Sequence, residues 1–423
     1  MDIFIIEGGK QLEGELTISG SKNASLPILM SSLLCHGTSR FNNVPHLSDT
    51  QTLLSIMEAL GAQVQSEWEN NSLTIEVEDE GPILAPYELV SRQRASFYAL
   101  GALLGRRRKA SVSLPGGCVI GHRPVDIHLK GFEALGVKIS IEAGYVKADA
   151  SEARAASIFL GGAFGSSVGA TCNVLMLAVT LPGISIIDNA ACEPEIADLC
   201  HYLNKCGAKI TGIGSPHLTI EGVEKLEAVS YSMPDDRIEA ATFLMICCLS
   251  IGKNLKVAKT DLRQHGALLD VIKTLGYIPE VSGDWIRMKK IAEPRPVECT
   301  TLPYPGFPTD CQAQLMVLLT QVPHLSVITE RIYPDRFIHS AELGRMGAQI
   351  RKEGPSSLIS GGPLLSGAPV MASDLRASAA LIMAGLIANG KTQINRVYHI
   401  DRGYENIDKK LQAVGARISR ELE

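Results

Sequence analysis

The stretch FEALGVKI, from Phe132 to Ile139, joins the apolar end of a helix to a short strand through Gly136. Phrases of this kind recur at intervals of roughly 70 residues, and such a fixed period indicates an internal repeat. A glycine directly after a helix is typical of a position with positive φ, which is costly for other residues. Each phrase therefore predicts a helix end followed by a strand. The glycines at which these helices are expected to end are Gly61, Gly136, Gly207, Gly276, Gly347 and Gly415.

A second helix lies between successive phrases, and apolar residues cover all of its faces. The segment from Ala377 to Ile387 has this pattern, which is typical of a helix buried on every side. The alternation predicts six βαβαββ units, grouped three and three into two α/β domains of about 200 residues each. We expect the apolar helices inside each domain and the sheets outside. The second helices open at Lys22-Asn23-Ala24, Arg94-Ala95-Ser96, Val168-Gly169-Ala170, Arg237-Ile238-Glu239, Asp310-Cys311-Gln312 and Asp374-Leu375-Arg376.

The composition excludes several classes of protein. Of the 423 residues, 45% are hydrophobic and 20% are charged, which is typical of a folded chain. The 40 Lys and Arg against 45 Asp and Glu give a net charge of -5, so no global field attracts nucleic acid or anionic membranes. The short basic run from Arg106 to Lys109 has no interleaved aromatic residues and is predicted to be a solvated loop.

The cysteines and the apolar segments indicate a cytoplasmic location. Ten cysteines occur without Cys-x-x-Cys pairs, and the segment from Ile3 to Ile6 predicts a strand rather than a signal peptide. The longest apolar stretch, Ala241 to Ile251, is too short to span a bilayer. We therefore expect no membrane association.

Common cofactor and metal motifs are missing from the sequence. There is no Gly-x-x-x-x-Gly-Lys-Ser/Thr motif and no Gly-x-Gly-x-x-Gly after a strand. His122 with His128, or His399 alone, lacks the spaced Cys, His and acidic partners that a zinc site requires. The sequence therefore predicts neither a cofactor nor a metal.

Cations recur at the openings of the buried helices. Lys22, Arg94, Arg237 and Arg376 lie near predicted N-termini, where a positive charge opposes the helix dipole. An ordinary capping role suits Ser, Asp and Asn but not these residues. Their repeated presence favours a bound anion, which helix N-termini attract as well.

A cysteine in a glycine-rich segment is a candidate reactive group. Cys118 lies between Leu114 and Pro124, among glycines and prolines that exclude a helix or a central strand. His122 and Arg123 follow within five residues, and positive charge eases the ionisation of a thiol. The cysteines in the helical segments are interpreted as core residues instead.

Two aspartates and two arginines have alternative interpretations. Asp310 and Asp374 start buried helices, so each is either an N-cap or a base that accepts a proton from a hydroxyl. Arg336 and Arg402 lie in short polar segments between strand and helix, as solvated residues or as partners of carboxylate and phosphate.

Several long motifs occur in a fixed order along the whole chain. Together they resemble the enolpyruvyl transferases, and most closely the members that act on UDP-N-acetylglucosamine. The motifs are Leu12-Glu13-Gly14 with Gly20-Ser21-Lys22-Asn23-Ala24, Pro115-Gly116-Gly117-Cys118 with Gly121 to Asp126, Pro305 to Asp310, Asp374 to Ala380, and Tyr398 to Glu405.

The resemblance implies a fold of two inside-out α/β barrels, each made of three βαβαββ units, with the active site in the interdomain cleft. An N-terminal enolpyruvyl transferase domain, with the cysteine loop, is expected over residues 22–232. Residues 1–21 and 233–423 are expected to form the C-terminal domain. The implied reaction transfers the enolpyruvyl group of phosphoenolpyruvate to the 3′-hydroxyl of UDP-N-acetylglucosamine, with release of phosphate, as the first committed step of peptidoglycan precursor synthesis.

The resemblance also implies residue roles. Cys118 would donate the proton and Asp310 would be the base, while Asn23 and Asp374 would arrange the tetrahedral intermediate. The residues expected to hold phosphate are Lys22, Arg123 and Arg402, and those expected to bind the carboxylate are Arg336 and Arg376. Contacts with the nucleotide sugar are expected from Arg94, Pro124, Val125, Asp126, Ile127, Ser167, Val168, Glu193 and Ile332.

Three positions differ from the pattern of the family. Tyr98 stands where many members have Trp, Gly165 where some have Lys, and Ser373 where Thr is usual. The sequence leaves three alternative functions: the shikimate-pathway enolpyruvyl transferase, which resembles this chain without the cysteine loop; a thiol hydrolase or transferase using Cys118 and His122; and a non-catalytic repeat scaffold. The cysteine loop and the clustered cations favour the transferase that acts on the nucleotide sugar.

Overall fold

The computed structural model describes residues 2–78, 80–115, 125–162, 165–249, 254–258 and 260–422. The chain forms two compact units. One contains Met1–Ser19 and Asp235–Glu423 and is called the terminal unit; the other, the central unit, runs from Gly20 to Pro234 apart from the segment 116–124. Cys118, Arg123 and Pro124 lie outside the described residues.

Apart from the four-residue α3, the helices within the described ranges alternate between the two types that the sequence predicts. They are α1 (Lys22–Ser31), α2 (Ser48–Ala59), α3 (Tyr87–Val90), α4 (Tyr98–Arg107), α5 (Asp126–Ala134), α6 (Val168–Ala178), α7 (Pro194–Lys205), α8 (Arg237–Leu249), α9 (Gly266–Thr274), α10 (Gln312–Thr320), α11 (His339–Arg345), α12 (Leu375–Ile387) and α13 (Ile407–Ala413).

The strands are short, and most of them belong to four-stranded sheets. They are β1 (Asp2–Glu7), β2 (Gly14–Leu16), β3 (Cys35–His36), β4 (Thr38–Asn42), β5 (Ala62–Glu67), β6 (Ser72–Val77), β7 (Leu84–Ala85), β8 (Lys109–Ser113), β9 (Lys138–Glu142), β10 (Tyr145–Asp149), β11 (Ser157–Phe159), β12 (Ile184–Asp188), β13 (Lys209–Thr211), β14 (His217–Glu221), β15 (Leu226–Glu227), β16 (Ser230–Ser232), β17 (Leu255–Ala258), β18 (Tyr277–Ser282), β19 (Trp285–Lys290), β20 (Glu298–Thr300), β21 (His324–Thr329), β22 (Gln349–Glu353), β23 (Ser356–Gly361), β24 (Pro369–Met371), β25 (Lys391–Asn395) and β26 (Arg417–Leu422).

The repeat glycines have the backbone conformation that the sequence predicts. Each follows the C-cap of α2, α5, α7, α9, α11 or α13, and each precedes a strand. Their φ angles lie in the positive region that only glycine adopts without strain. The prediction of six helix ends is confirmed. The φ angles are 90° at Gly61, 84° at Gly136, 107° at Gly207, 84° at Gly276, 95° at Gly347 and 95° at Gly415.

The second helix of each repeat is buried, as predicted. In α12, every residue from Arg376 to Leu386 is buried, and in α6 the same holds from Ala170 to Ala178. The corresponding helices are α1, α4 and α6 in the central unit and α8, α10 and α12 in the terminal unit. Each set packs within its own apolar core.

The sheets repeat one strand order. Each unit has three four-stranded sheets in its described residues, and each sheet contains one parallel and two antiparallel pairs. In strands such as β4, alternate residues are buried, which is the pattern of a sheet with one face on the core. The orders are β16-β4-β6-β5, β7-β8-β10-β9 and β11-β12-β14-β13 in the central unit, and β18-β19-β17-β2, β20-β21-β23-β22 and β24-β25-β1-β26 in the terminal unit.

The strands nearest the N-terminus belong to the terminal unit. In the antiparallel register of β1, Ile5 lies opposite Gln393 of β25 and Ser419 of β26. In the parallel pair of β2 and β17, Glu15 lies opposite Lys256. The terminal unit therefore combines both ends of the described chain.

The prediction that Arg106 to Lys109 form a solvated loop is wrong. Helix α4 continues to Arg107, and Arg108 is its left-handed C-cap with φ 60°. The Arg107 guanidinium donates to the Leu60 carbonyl at 2.9 Å, and the Arg108 guanidinium donates to the Thr180 carbonyl at 2.8 Å. The two guanidinium groups therefore pair with carbonyl oxygens at the ends of segments that are distant in the sequence. The local sequence does not reveal these partners.

Nine described cysteines are free thiols, and eight of them are buried. The interpretation of the helical cysteines as core residues is confirmed by this burial. Within the described ranges, every helix is too short or too polar to cross a bilayer.

Candidate active site

A buried cluster of charges lies at the start of α10 and α12 in the terminal unit. Asp310, in the 3-10 turn Thr309–Cys311, accepts hydrogen bonds from Arg336 Nη1 at 2.8 Å and from Arg376 Nη2 at 2.9 Å. The side chains of Arg336 and Arg376 are 7% and 2% exposed, while that of Asp310 is 27% exposed. The carboxylate is therefore the more accessible member of an otherwise buried group.

The electrostatics of this cluster keep Asp310 ionised. Desolvation would raise the pKa of Asp310, but Arg376 and Arg336 outweigh it and hold that pKa well below its usual range. Two guanidinium groups donate to this one carboxylate, and Nε and Nη1 of Arg376 have no hydrogen-bond partner among the described residues. Buried guanidinium donors of this kind are stabilised by an anionic ligand.

Asp310 and Asp374 take different roles, although both start a buried helix. Asp374 is the N-cap of α12 and accepts hydrogen bonds from the N–H groups of Arg376 at 3.0 Å and Ala377 at 3.1 Å. Asp310 lies inside its turn, and its side chain does not cap the helix. The capping interpretation is confirmed for Asp374 and wrong for Asp310. The hydroxyl of Ser373 donates to Asp374 at 3.2 Å, a contact that the usual Thr could also make.

The segment that carries Arg336 is organised by Glu330, which the sequence analysis missed. Glu330 is fully buried and accepts hydrogen bonds from the N–H groups of Ile332 at 2.8 Å and Tyr333 at 3.0 Å. Thr309 Oγ1 donates to Glu330 at 2.8 Å and accepts from Arg336 Nη1 at 3.0 Å. The sequence signal available for Glu330 was its position as an acidic residue directly after β21.

Arg402 ends the 3-10 turn Val397–Arg402 and is half-buried. Burial lowers the pKa of the neighbouring His399, and the positive charge of Arg402 lowers it further. The charge of Arg402 therefore acts on His399. The hydrogen bonds to Asp310 come from Arg336 and Arg376 instead.

In the central unit, Lys22 is the first residue of α1, and the Ser21 hydroxyl caps the helix through the N–H of Ala24. Asn23 follows Lys22 in the first turn. The ammonium group of Lys22 lies 2.8 Å from Asp49, and both side chains are largely buried. Asp49 is a second residue that the sequence analysis missed, since no local pattern links it to α1.

His128 joins two helices of the central unit. Asn173 accepts from the N–H of Gly101 through Oδ1 at 2.8 Å, and its Nδ2 donates to the carbonyl of Phe97 at 3.1 Å. This fixes the amide orientation, so Nδ2 also donates to His128 Nδ1 at 2.8 Å. His128 therefore carries its proton on Nε2. Burial lowers its pKa to about 3, with Arg94 as the next cause.

Several residues predicted to contact the nucleotide sugar lie around His128. Val125 is the N-cap residue of α5, which starts at Asp126, and the hydroxyl of Ser167 caps α6, which starts at Val168. A Cβ on Gly169 would lie 2.9 Å from the His128 ring, so α6 begins against this ring.

The remaining predicted residues of this set are placed by other elements. Arg94 opens the 3-10 turn Arg94–Phe97 before α4, and Ile127 packs against Gly162. Glu193 is the N-cap residue of α7, without a side-chain cap. Ile332 lies in the other unit, where its backbone binds Glu330.

Among the positions that differ from the pattern, Gly165 has a structural explanation. Gly165 has a φ of 91° and forms a pair of backbone hydrogen bonds with Gly162, at 3.1 and 3.2 Å. A lysine there would adopt a strained backbone. Burial raises the pKa of Tyr98, and the nearby Cys172 adds to that shift.

Comparisons with known proteins agree over almost the whole chain. A protein from Desulfosudis oleivorans named UDP-N-acetylglucosamine 1-carboxyvinyltransferase is 48% identical over 422 residues, with 99% of each chain covered. One of the same name from Methylacidiphilum infernorum is 47% identical over 420 residues, again with 99% of each covered.

Solved structures show the same fold at low sequence identity. The enolpyruvyl transferase NikO from Streptomyces tendae superimposes with a TM-score of 0.89 at 24% identity, covering 99% of this chain and 98% of that one. EPSP synthase from Acinetobacter baumannii gives a TM-score of 0.72 at 16% identity, with both chains fully covered. The two-unit α/β architecture is therefore that of these transferases.

A family model described as EPSP synthase (3-phosphoshikimate 1-carboxyvinyltransferase) matches residues 6–411. This match and the full-length relatives show that the chain belongs to that family, the enolpyruvyl transferases.

Proposed function

We propose that this chain transfers the enolpyruvyl group of phosphoenolpyruvate to the 3′-hydroxyl of UDP-N-acetylglucosamine and releases inorganic phosphate. The observation that carries the proposal is the ionised Asp310 between the buried Arg336 and Arg376. The names of the relatives support the same acceptor and the same transferred group. The product enters peptidoglycan precursor synthesis, as its first committed intermediate.

The reaction is an addition followed by an elimination. In the addition, the 3′-oxygen bonds to C2 of phosphoenolpyruvate, the hydroxyl proton passes to Asp310, and the methylene carbon takes a proton from the Cys118 thiol. In the elimination, the C2–O bond to phosphate breaks, the new methyl group returns a proton to the Cys118 thiolate, and the double bond forms again. The phosphate leaves with the proton that Asp310 had taken, which restores both side chains. Asn23 and Asp374 are proposed to arrange the tetrahedral intermediate.

Arg336 and Arg376 are the proposed partners of the substrate carboxylate. The planar guanidinium group suits a carboxylate, and Nε and Nη1 of Arg376 are buried without a hydrogen-bond partner among the described residues. A carboxylate bound here would weaken the pull of both guanidinium groups on Asp310. The pKa of Asp310 would then rise toward the range that suits a general base.

The proposed phosphate ligands are Lys22, Arg123 and Arg402. Because Lys22 lies 2.8 Å from Asp49, a phosphate must compete with that carboxylate for the ammonium group. The nucleotide sugar is proposed to bind residues 124–127, Arg94, Ser167, Val168, Glu193 and Ile332.

We propose that residues 22–232 and the pair 1–21 with 233–423 are the two enolpyruvyl transferase domains, with no cofactor or metal in the reaction. The reaction site between domains stays a prediction from the family resemblance. A cytoplasmic location is proposed because free, buried thiols suit a reducing compartment.

The test is phosphate release from phosphoenolpyruvate, with UDP-N-acetylglucosamine or shikimate 3-phosphate as the acceptor. The wild type should release phosphate only with the nucleotide sugar, and Cys118→Ala should slow release by about a hundredfold or more. Cys192→Ala changes a half-buried cysteine outside the proposed site and is the matched control.

Release with shikimate 3-phosphate alone would contradict the proposed acceptor. Full activity in Cys118→Ala would remove the proposed proton donor while leaving the acceptor intact. No release with either acceptor would contradict the proposed function as a whole.

A further inference from the structure

A tyrosine beneath the charged cluster has no role in the function proposed above. Tyr404 is 1% exposed, and its ring faces the guanidinium group of Arg376, whose Cζ lies 5.4 Å from the ring centroid. Its hydroxyl lies 2.8 Å from Thr242 Oγ1 and 3.2 Å from Gln314 Nε2. Three buried polar side chains therefore meet directly behind a proposed carboxylate ligand.

The direction of each hydrogen bond in this group follows from its partners. Thr242 Oγ1 donates its single proton to the carbonyl of Ile238 at 2.9 Å, because a carbonyl oxygen only accepts. In the contact between Thr242 and Tyr404, Tyr404 must then be the donor. The proton of Tyr404 points at Thr242, and therefore away from Arg376.

The amide of Gln314 is oriented by Asp310. Nε2 of Gln314 lies 2.9 Å from the main-chain carbonyl of Asp310, so the nitrogen rather than the amide oxygen faces this acceptor. The same nitrogen lies 3.2 Å from Tyr404 Oη and 3.1 Å from Thr242 Oγ1, so its second proton is shared between these two oxygens. Tyr404 therefore donates to Thr242 and keeps acceptor capacity for the side occupied by Arg376.

Tyr404 and Gln314 complete a closed series of contacts with Asp310 and Arg376. Gln314 binds the backbone of Asp310, Asp310 accepts from Arg376 through its carboxylate at 2.9 Å, and Arg376 lies over Tyr404. Burial raises the pKa of Tyr404, so its hydroxyl stays neutral and keeps its proton near neutral pH.

We propose that Tyr404 is a positioning residue for substrate binding, which orients Arg376 toward the carboxylate of the substrate through a proton order set by Thr242 and Gln314. This inference rests on the proposed function, since it assigns Arg376 to the carboxylate. Tyr404 itself does not contact substrate.

The experiment compares the KM for phosphoenolpyruvate with that for the nucleotide sugar. Tyr404→Phe keeps the ring and removes the oxygen, so the KM for phosphoenolpyruvate should rise about tenfold, as expected for the loss of a hydrogen bond near a charged group. The KM for the nucleotide sugar should stay within about twofold. Tyr202→Phe, at another fully buried tyrosine in the other unit, is the control and should change neither value.

A second variant tests the proton order without touching Arg376. Thr242→Val removes the acceptor of the Tyr404 proton, and a hydroxyl that turns toward Arg376 opposes its positive charge. The KM for phosphoenolpyruvate should rise here as well, and Thr242→Ser, which restores an acceptor, should return it to the wild-type value.

Unchanged KM values in both Tyr404→Phe and Thr242→Val would overturn the proposal, and so would an equal rise for both substrates. If the wild type releases no phosphate, the proposed function fails. The hydrogen bond between Tyr404 and Thr242 is then tested by a double-mutant cycle that measures the unfolding equilibrium constant. Tyr404→Phe and Thr242→Val should then couple by about fivefold or more in the unfolding equilibrium constant. A coupling below about twofold would refute the proposed hydrogen bond.

Discussion

The terminal and central units each contain a buried polar group, and the two groups have opposite chemistry. In the terminal unit, buried Arg336 and Arg376 flank an ionised Asp310. In the central unit, a neutral His128 and Asn173 join the helices through hydrogen bonds. The amide of Asn173 is paired through both of its ends, whereas Nε and Nη1 of Arg376 have no hydrogen-bond partner among the described residues.

This difference separates an anion-binding group from a scaffolding group within one repeated fold. Buried ions are stabilised only with good partners, and buried guanidinium donors without a partner attract an anion. A neutral network has no such preference and instead fixes the spacing of its helices. The repeats therefore share a backbone, while the polar residues at their helix starts determine what each unit can bind.

The substitution with the largest expected effect removes the negative charge of Asp310. Asp310→Asn should slow phosphate release about a thousandfold, because an amide cannot take the hydroxyl proton. Asp335→Asn is the control, since Asp335 is exposed and pairs only with Lys352, at 3.3 Å, among the ion pairs of the described residues. Retention of more than a tenth of the wild-type rate by Asp310→Asn would contradict the role of Asp310 as the base.

A packing test addresses the central unit. A Cβ on Gly101 of α4 would lie 2.4 Å from the backbone oxygen of Asn173, so Gly101→Ala should lower the free energy of unfolding by about 1 to 3 kcal/mol. Gly344 of α11 has no atom within 4 Å of such a Cβ, and Gly344→Ala should stabilise slightly. Chemical denaturation measures both. Equal effects of the two variants would show that the contact between α4 and α6 is not tight.

The smallest effect is a pH dependence of stability. Because the pKa of His128 is lowered from 6.5 to about 3, the unfolded chain binds its proton first as the pH falls. The stability from neutral His128 is complete above pH 6.5 and falls by about 2 kcal/mol at pH 5. His128→Gln should lack this component of the slope between pH 7 and 5, and His201→Gln, at an exposed position of α7, is the control.

Asp310 should respond in a different pH window. Its lowered pKa makes its contribution complete above the unfolded value of 3.8 and lost only below it. Burial also lowers the pKa values of His265 and His339 of the terminal unit to about 4, so acidification from pH 6.5 should weaken both units, which hydrogen exchange in each unit can measure. A slope that is identical in wild type and His128→Gln would mean that the pKa of His128 is the same in the folded and the unfolded chain.

Features set by neighbouring residues were predictable from the sequence. The positive φ at Gly136 and its counterparts, the burial of α12 and the N-cap role of Asp374 each follow from a pattern of a few residues. The family motifs added an expected function because several of them lie in a fixed order.

Pairings between distant residues were not predictable from local sequence. The partners of Asp310 lie 26 and 66 positions away, so its local pattern favoured a cap as much as an ion pair. The same applies to Lys22 with Asp49 and to Arg107 with the Leu60 carbonyl. These contacts depend on tertiary packing, which overrides local preference.

The position of β1 also has a consequence for synthesis on the ribosome. β1 pairs with β25 and β26, whose residues are made last among the described strands. At about 5 to 20 residues per second, the β1 segment waits roughly 20 to 80 s for these partners.

During that interval, Ile3, Phe4 and Ile6 have no completed sheet to bury them, although all three are buried in the folded unit. An apolar strand with open edges can pair with other nascent chains. The central unit can complete its sheets before the terminal unit does. The yield of folded protein therefore depends on how well β1 is shielded from other chains until β26 has been synthesised.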